Sequence, residues 1–368
     1  MTAQNNVILD VQHIGVDYFS RSGTVHAVSD VSFSVNRGEI FGLAGESGSG
    51  KSTLAFAVAR LLKFPAEITG GQALFYPKTD AAQTEPIDIL QLNKKQLRDF
   101  RWKKLSIVFQ SAMNALNPVL NVQTQIIDTI RSHQPHLHRD EYYQRAVDLV
   151  KMVGIAPERL KSFPHQLSGG MRQRVVIAIA LALNPELIIM DEPTTALDVV
   201  VQREILSEIQ NLKKTFGFSV VFITHDLSLL TEICDHLAIM YAGKIVEQSN
   251  RVAIMQNTQH PYTFGLLHSF PSLYGEKKQI LGIPGHPPDL RNVPTGCAFN
   301  PRCSFAVEAC RSVIPTLQHV DASAADHLTA CHLYDPRFQP NGPPKSLGRQ
   351  VANDDPQAIG TDMLAGGQ

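Results

Sequence analysis

Residues 39–62, EIFGLAGESGSGKSTLAFAVARLL, decide the fold. Residues 39–44 are a short, nearly continuous apolar run, the pattern of a strand buried on both faces. Residues 52–62 carry helical spacing. Between them lie Gly45, Glu46, Ser47, Gly48, Ser49, Gly50, Lys51, Ser52 and Thr53. Glycines at 45, 48 and 50 let the backbone turn its N–H groups inward around a phosphate. The helix that follows adds its positive end. Lys51 can reach the β- and γ-phosphates, and the Ser52 hydroxyl can ligate Mg²⁺. A flexible Gly/Ser turn with a chance lysine would not be framed by a strand and a helix. The segment reads as a nucleoside triphosphate site.

Working outward, residues 187–193 (LIIMDEP) place Asp191 and Glu192 at the carboxyl end of a second apolar strand, where open α/β sheets put their ligands. Asp191 is expected to hold Mg²⁺ through water, and Glu192 to polarise an attacking water. Residues 219–224 (SVVFIT) form a third such run, and residues 172–183 read as a helix between strands. The alternation indicates an α/β core with a mostly parallel sheet. Residues 7–35 have period-two character and read as an antiparallel flank. Between residues 110 and 167 the chain becomes polar and helical, with 140–153 amphipathic, so a helical insertion is expected at about 111–166.

The chain has 368 residues, enough for two domains. Charged residues are 18% and the formal net charge is −1, without the basic stripe of a nucleic-acid partner. The N-terminus lacks the basic start and apolar stretch of a secretory signal. The longest apolar run, residues 175–183, falls short of the ~20 residues of a membrane helix. A transport role would therefore need separate membrane partners.

Leu167, Ser168, Gly169 and Gly170 form LSGG before an apolar helix. Ser168 can cap that helix while the glycines expose N–H groups to an anion. With this element in place, the first 260 residues or so resemble the ABC transporter ATPases. In that family LSGG is the signature that binds the γ-phosphate of ATP held by the opposing subunit. The resemblance makes Gln110 the Q-loop contact to Mg²⁺ and water, Asp198 the D-loop residue at the dimer seam, and His225 the switch histidine on the γ-phosphate. It makes Tyr18 the aromatic that stacks on adenine, with Phe19 beside it leaving the register open. The implied catalytic set is Glu192, His225, Lys51 and Gln110, acting on ATP with Mg²⁺ held through Ser52, Gln110 and Asp191. The implied fold is a P-loop NTPase ABC cassette over 1–258, inactive or weak as a monomer.

Residues 260–273 (HPYTFGLLHSFPSL) and 283–310 (IPGHPPDLRNVPTGCAFNPRCSFAVEAC) resemble the C-terminal extension of oligopeptide and dipeptide importer ATPases, placing a small irregular domain at 259–335. The tail, 336–368, is polar and Pro/Gly-rich and is expected to be disordered. Cys297, Cys303, Cys310 and Cys331 are spaced C-x5-C-x6-C-x20-C. Four thiolates suit an iron–sulfur cluster or a structural zinc. The lack of a close C-x2-C pair favours [4Fe–4S], which some members of the family look to carry here; four separate core cysteines are the alternative. His332 is a substitute ligand, and Cys234 reads as core packing.

The implied partners are two membrane permeases, a paralogous ATPase subunit or a second copy, and an extracytoplasmic solute-binding protein, with no nucleic acid. The implied location is the cytoplasmic face of the inner membrane. Peptides are the expected solute, with oligosaccharides, glutathione and nickel chelates as alternatives in the same branch. A non-transport ABC ATPase of DNA repair or translation would usually carry coiled-coil insertions, tandem cassettes or a basic surface, none of which is read here.

Overall fold

The computed structural model describes residues 6–21, 23–78, 85–110, 115–195, 197–269, 282–320, 326–344 and 347. The chain opens with β1 (Val7–Ser20) and β2 (Gly23–Asn36), which pair antiparallel along their length. Then β3 (Ile40–Ala44) enters the interior with every residue buried. It runs directly into the glycine loop and α1 (Lys51–Val58). The next strand, β4 (Ala66–Phe75), returns to pair with β1, and β5 (Ile87–Asp88) adds to it, completing a four-stranded antiparallel sheet. The flank expected from period-two spacing thus takes two further strands from beyond the glycine loop.

After α2 (Lys94–Phe100), β6 (Leu105–Val108) begins the far edge of a second sheet. The polar segment that follows forms α3 (Val122–His133) and α4 (Arg139–Met152), with two 3₁₀ turns before α5 (Gly169–Leu181). Residues 111–114, at the start of the expected insertion, lie outside the described residues. The amphipathic helix read at 140–153 is α4, which turns Tyr142, Ala146, Val147, Leu149 and Val150 inward.

The core continues as β7 (Leu187–Asp191), α6 (Val199–Phe216), β8 (Ser219–Thr224), α7 (Leu227–Ile233), β9 (His236–Tyr241) and β10 (Lys244–Asn250). Strands β9, β3, β8, β7 and β6 lie side by side and parallel, and β10 turns back antiparallel on β9. One face of this sheet packs on α3 to α7, and the other on α1 and the antiparallel sheet. Burial on both faces is why β3, β7 and β8 are apolar without alternation.

Two helices follow, α8 (Arg251–Gln256) and α9 (Pro261–His268), and then irregular chain. The short strands β11 (Gln318–His319) and β12 (Leu328–Thr329) extend the main sheet, with β12 on β10. The extension thus adds its short strands to the sheet of the cassette. Within the tail expected to be disordered, residues 336–344 are described and Leu347 is buried; 345–346 and 348–368 lie outside the described residues.

Candidate nucleotide site

Register sets the site. Ala44 of β3 lies opposite Thr224 of β8, and Asp191 of β7 opposite Ile223. Three parallel strands thus end at one level, so Gly45, Glu192 and His225 all emerge at the same edge. A parallel strand ends with its carbonyls, and the loop that follows is free to carry polar groups without disturbing the ladder.

Gly45 has φ +150°, and a Cβ there would sit 2.3 Å from the Met240 carbonyl oxygen. Gly50, the N-cap of α1, has φ +102° and would place a Cβ 2.3 Å from the Ala27 oxygen. Both positions need glycine for conformation and for space. Lys51 is 5% exposed and donates to the carbonyls of Gly45 and Glu46, each at 2.8 Å. Burial lowers its pKa, opposed by the charges of Glu192, Asp191 and Glu46. Its cation is held over the loop's centre, where a phosphate can take it from the carbonyls.

Ser52 donates its hydroxyl to Asp191 Oδ1 at 3.0 Å. Asp191 is fully buried, and its Oδ2 has no hydrogen-bond partner. Burial raises its pKa against the Ser52 bond. A buried carboxylate oxygen left unpaired beside a serine hydroxyl is costly alone and suits a hard divalent cation that binds oxygen ligands. Mg²⁺ fits this pair.

Glu192 adopts φ +46°, in the left-handed region. Its Oε1 lies 3.0 Å from His225 Nδ1, while Oε2 accepts from Gln110 Nε2 at 3.1 Å and Thr195 Oγ1 at 3.0 Å. Burial works to raise its pKa, but the bonds from His225 and Thr195 and the charges of His225 and Lys51 hold it below the usual value. An ionised carboxylate held by three side chains can orient a water and accept its proton. Thr195 was not singled out by sequence reasoning; its place in DEPTT, one turn past Glu192, was the available signal.

Tyr18 donates or accepts at Thr53 Oγ1, 3.2 Å away, and is half-buried, whereas Phe19 points the other way and is 42% exposed. Successive strand residues face opposite sides, so of the two Tyr18 is the one beside α1. Ser168 and Asp198 are exposed and serve as helix caps: Ser168 accepts from Met171 N at 3.2 Å and Asp198 from Val201 N at 3.0 Å. Gly170 packs against α6, where a Cβ would meet Val201 Cγ1 at 2.8 Å. Leu167 is buried beneath them. Among the described residues, neither Ser168 nor Asp198 shares a hydrogen bond with the glycine loop.

Residues 28–195 match the ABC transporter family, and residues 246–310 match the oligopeptide/dipeptide transporter C-terminal region. The oligopeptide transport ATP-binding protein of Salmonella typhimurium is 40% identical over 328 residues, covering 89% of this chain and 93% of that protein. The dipeptide transport ATP-binding protein of Caldanaerobacter subterraneus is 37% identical, covering 90% and 98%. The chain belongs to the oligopeptide/dipeptide family of ABC transporter ATPases. Among solved structures, the dimeric post-hydrolysis state of the ATP-binding cassette MJ0796, bound to ADP and Pi, superposes with a TM-score of 0.57 at 28% identity. It covers 66% of this chain and 99% of its own. Among the described residues no helix of the ATPase is long and apolar enough to cross a membrane.

The ATPase's four C-terminal cysteines lie within electrostatic reach of one another. Burial, with the neighbouring thiols adding to it, pushes Cys303 to about 11 and Cys331 higher still, and Cys297 rises to about 11. All are free thiols. As placed, however, no group of three or more His, Cys, Asp or Glu among the described residues could hold a metal ion. The donor geometry expected for [4Fe–4S] is therefore not formed. His332, the substitute ligand, instead engages the Val313 carbonyl through Nε2 at 2.8 Å. Cys234 is buried in the main core, with its thiol against Gly42.

Proposed function

We propose that this ATPase energises a di- or oligopeptide importer from the cytoplasmic face of the inner membrane. The observation that carries the catalytic reading is the Glu192 carboxylate, gripped by Gln110, Thr195 and His225 next to the Asp191–Ser52 pair. In this reading the glycine loop, residues 45–53, and Lys51 bind the triphosphate, and Tyr18 packs on adenine. Ser52, Asp191 and Gln110 would hold Mg²⁺, which neutralises charge on the phosphoryl oxygens. Glu192 orients the attacking water and takes its proton, and His225 holds both Glu192 and the γ-phosphate. Positioning and electrostatics supply the rate.

The signature (Leu167–Gly170) and Asp198 complete the ATP site of a second cassette, a paralogous subunit or another copy. Support comes from the exposure of Ser168 and Asp198 and from Val199 and Val200, which are 62% and 69% exposed beside Asp198. Two permeases and a solute-binding protein complete the assembly. We place the cassette at 1–258, its helical insertion at about 111–166 and the extension at 259–335.

Peptide as the solute is supported by similarity across both cassette and extension; an oligosaccharide, glutathione or nickel chelate is the competing cargo. Uptake of labelled short peptides and labelled oligosaccharides, compared in cells with wild-type and Lys51→Ala protein, decides between them. Loss of peptide uptake alone supports the proposal, and loss of oligosaccharide uptake alone overturns the cargo. The [4Fe–4S] reading of Cys297, Cys303, Cys310 and Cys331 rests on their spacing and mutual proximity. Anaerobically purified protein without iron and sulfide would discard it.

A further inference from the structure

Glu46 is the one acidic side chain in the glycine loop. An acidic side chain beside a triphosphate is repulsive unless something neutralises it. The extension supplies that neutralisation. Arg302, from the 3₁₀ turn Asn300–Arg302, makes a two-pronged pair with Glu46, Nη1 to Oε2 at 2.6 Å and Nη2 to Oε1 at 2.9 Å. Its side chain is 5% exposed. Nε is fixed on the Pro284 carbonyl at 2.8 Å, and the guanidinium stands over the rings of Tyr241 and Phe299.

A second element of the extension grips the same residue. Tyr262 of α9 is fully buried, and its hydroxyl accepts the Glu46 backbone N–H at 2.9 Å. The Glu46 carbonyl in turn accepts from Lys51 Nζ. Glu46 is thus held at its side chain and its amide by the extension, one carbonyl away from the phosphate-binding lysine. Pro287, Pro288 and Leu290 of the extension line a cleft with Glu46 and Ser49 on the same side.

We propose that Arg302 and Tyr262 are positioning residues for the phosphate loop: the C-terminal extension braces Glu46, cancels its charge and so sets the affinity for ATP. A bidentate guanidinium suits this task because it fixes the carboxylate's orientation as well as its charge. The brace rests on the reading of residues 45–53 as the ATP cradle. It gives the extension a part in nucleotide binding on its own chain, distinct from any contact with other subunits.

The test titrates the full-length chain with a fluorescent ATP analogue and measures KM and kcat for ATP, with circular dichroism melts alongside. Arg302→Met should weaken ATP binding about tenfold, or ~1.4 kcal/mol, with kcat of the folded protein changed less than about twofold. Arg302→Lys, which keeps charge but loses the fork, should recover part of the affinity. Glu46→Gln strands the buried guanidinium and should itself weaken ATP binding, but added to Arg302→Met it should restore part of the affinity by removing the unpaired carboxylate. Unchanged affinity in Arg302→Met, or a loss matched by the unfolded fraction with KM constant, overturns the brace. So does a double variant no better than Arg302→Met. Lys51→Ala separates the two levels: if it too binds ATP normally, the cradle reading itself fails, whereas a binding loss there with none in Arg302→Met sinks only the brace.

Discussion

The catalytic edge and the C-terminal extension share an apolar cluster but differ in how much they lean on buried charges. At the edge, polar groups stand on strands buried in two apolar clusters, and the chemistry sits on top of a hydrophobic scaffold. The extension has two short strands among the described residues; Tyr262, Leu266 and Phe299 join the cassette's own apolar cluster, and charges buried at single points tie the rest down. Glu247 of β10 is fully buried and accepts from the backbone N–H of Gln259 at 2.6 Å and of His260 at 3.0 Å, with His327 Nε2 at 2.8 Å. Arg302 on Glu46 is the second tie. Apolar packing spreads its contribution over many contacts and tolerates single losses, whereas a buried polar knot fails when one member goes.

The largest effect expected from this contrast is chemical and falls at the edge. Glu192→Gln removes the proton acceptor but can keep the contacts to Gln110, Thr195 and His225. ATP turnover should fall by about 10²–10⁴-fold while ATP binding persists, because Lys51 and the loop are untouched. The fold should stay intact, since β7 is anchored by its apolar residues. Steady-state hydrolysis and nucleotide titration on the same preparation check this, and hydrolysis at the wild-type rate would remove Glu192 from the reaction.

The second effect reverses the pattern. Glu247→Ala strands two backbone N–H groups and His327 in the interior and should destabilise the folded chain by about 3 kcal/mol. The extension should loosen first, so limited proteolysis should cut between residues 259 and 335 before the cassette. Equal protease resistance and an unchanged denaturant midpoint would show that the extension has another anchor.

This contrast also explains what could be read in the sequence. The strands β3, β7 and β8 were legible because their burial is written into consecutive apolar residues, and Gly45, Gly48 and Gly50 because backbone turns are local. Asp191 and Glu192 followed from the end of such a strand and Ser52 from the glycine loop that β3 feeds, whereas the role of His225 came from the family resemblance. Strand β4, with Gly70 and Gly71 in its middle, carried no clear alternation, and β12 is two residues long. The ties of the extension were illegible for a different reason. Arg302 and Glu46 are 256 positions apart, and Glu247 and His327 are 80 apart. Nothing in local composition marks a lone arginine or glutamate as one half of such a pair. The cysteines show the limit from the other side: spacing brought four thiols into one region, but spacing alone does not set a ligand geometry.

The smallest effect concerns a charge pair in the cassette itself, where the apolar scaffold should make it nearly dispensable. His236, at the start of β9, lies 3.1 Å from Glu39, which is 5% exposed at the entry to β3. The contact with the Glu39 carboxylate raises the histidine's pKa against the opposing effect of burial, with Asp326 and Asp235 adding to the rise. A raised folded-state pKa means the folded state binds the proton more tightly than the unfolded chain. The pair's stabilisation is therefore complete below the histidine's ordinary value of about 6.5 and fades as pH climbs through the raised folded value. Because His236 is 36% exposed, solvent screening should keep the contribution below about 1 kcal/mol. Melting wild-type and His236→Gln protein between pH 5.5 and 9 should give a gap that is widest at the acid end and closes with rising pH. A gap that stayed constant would mean that His236 acts by packing, and a gap that widened with pH would reverse the sign of the linkage. Either result would leave Glu39 a buried carboxylate in the apolar scaffold without the compensation assigned to it, and would narrow the contrast with the extension.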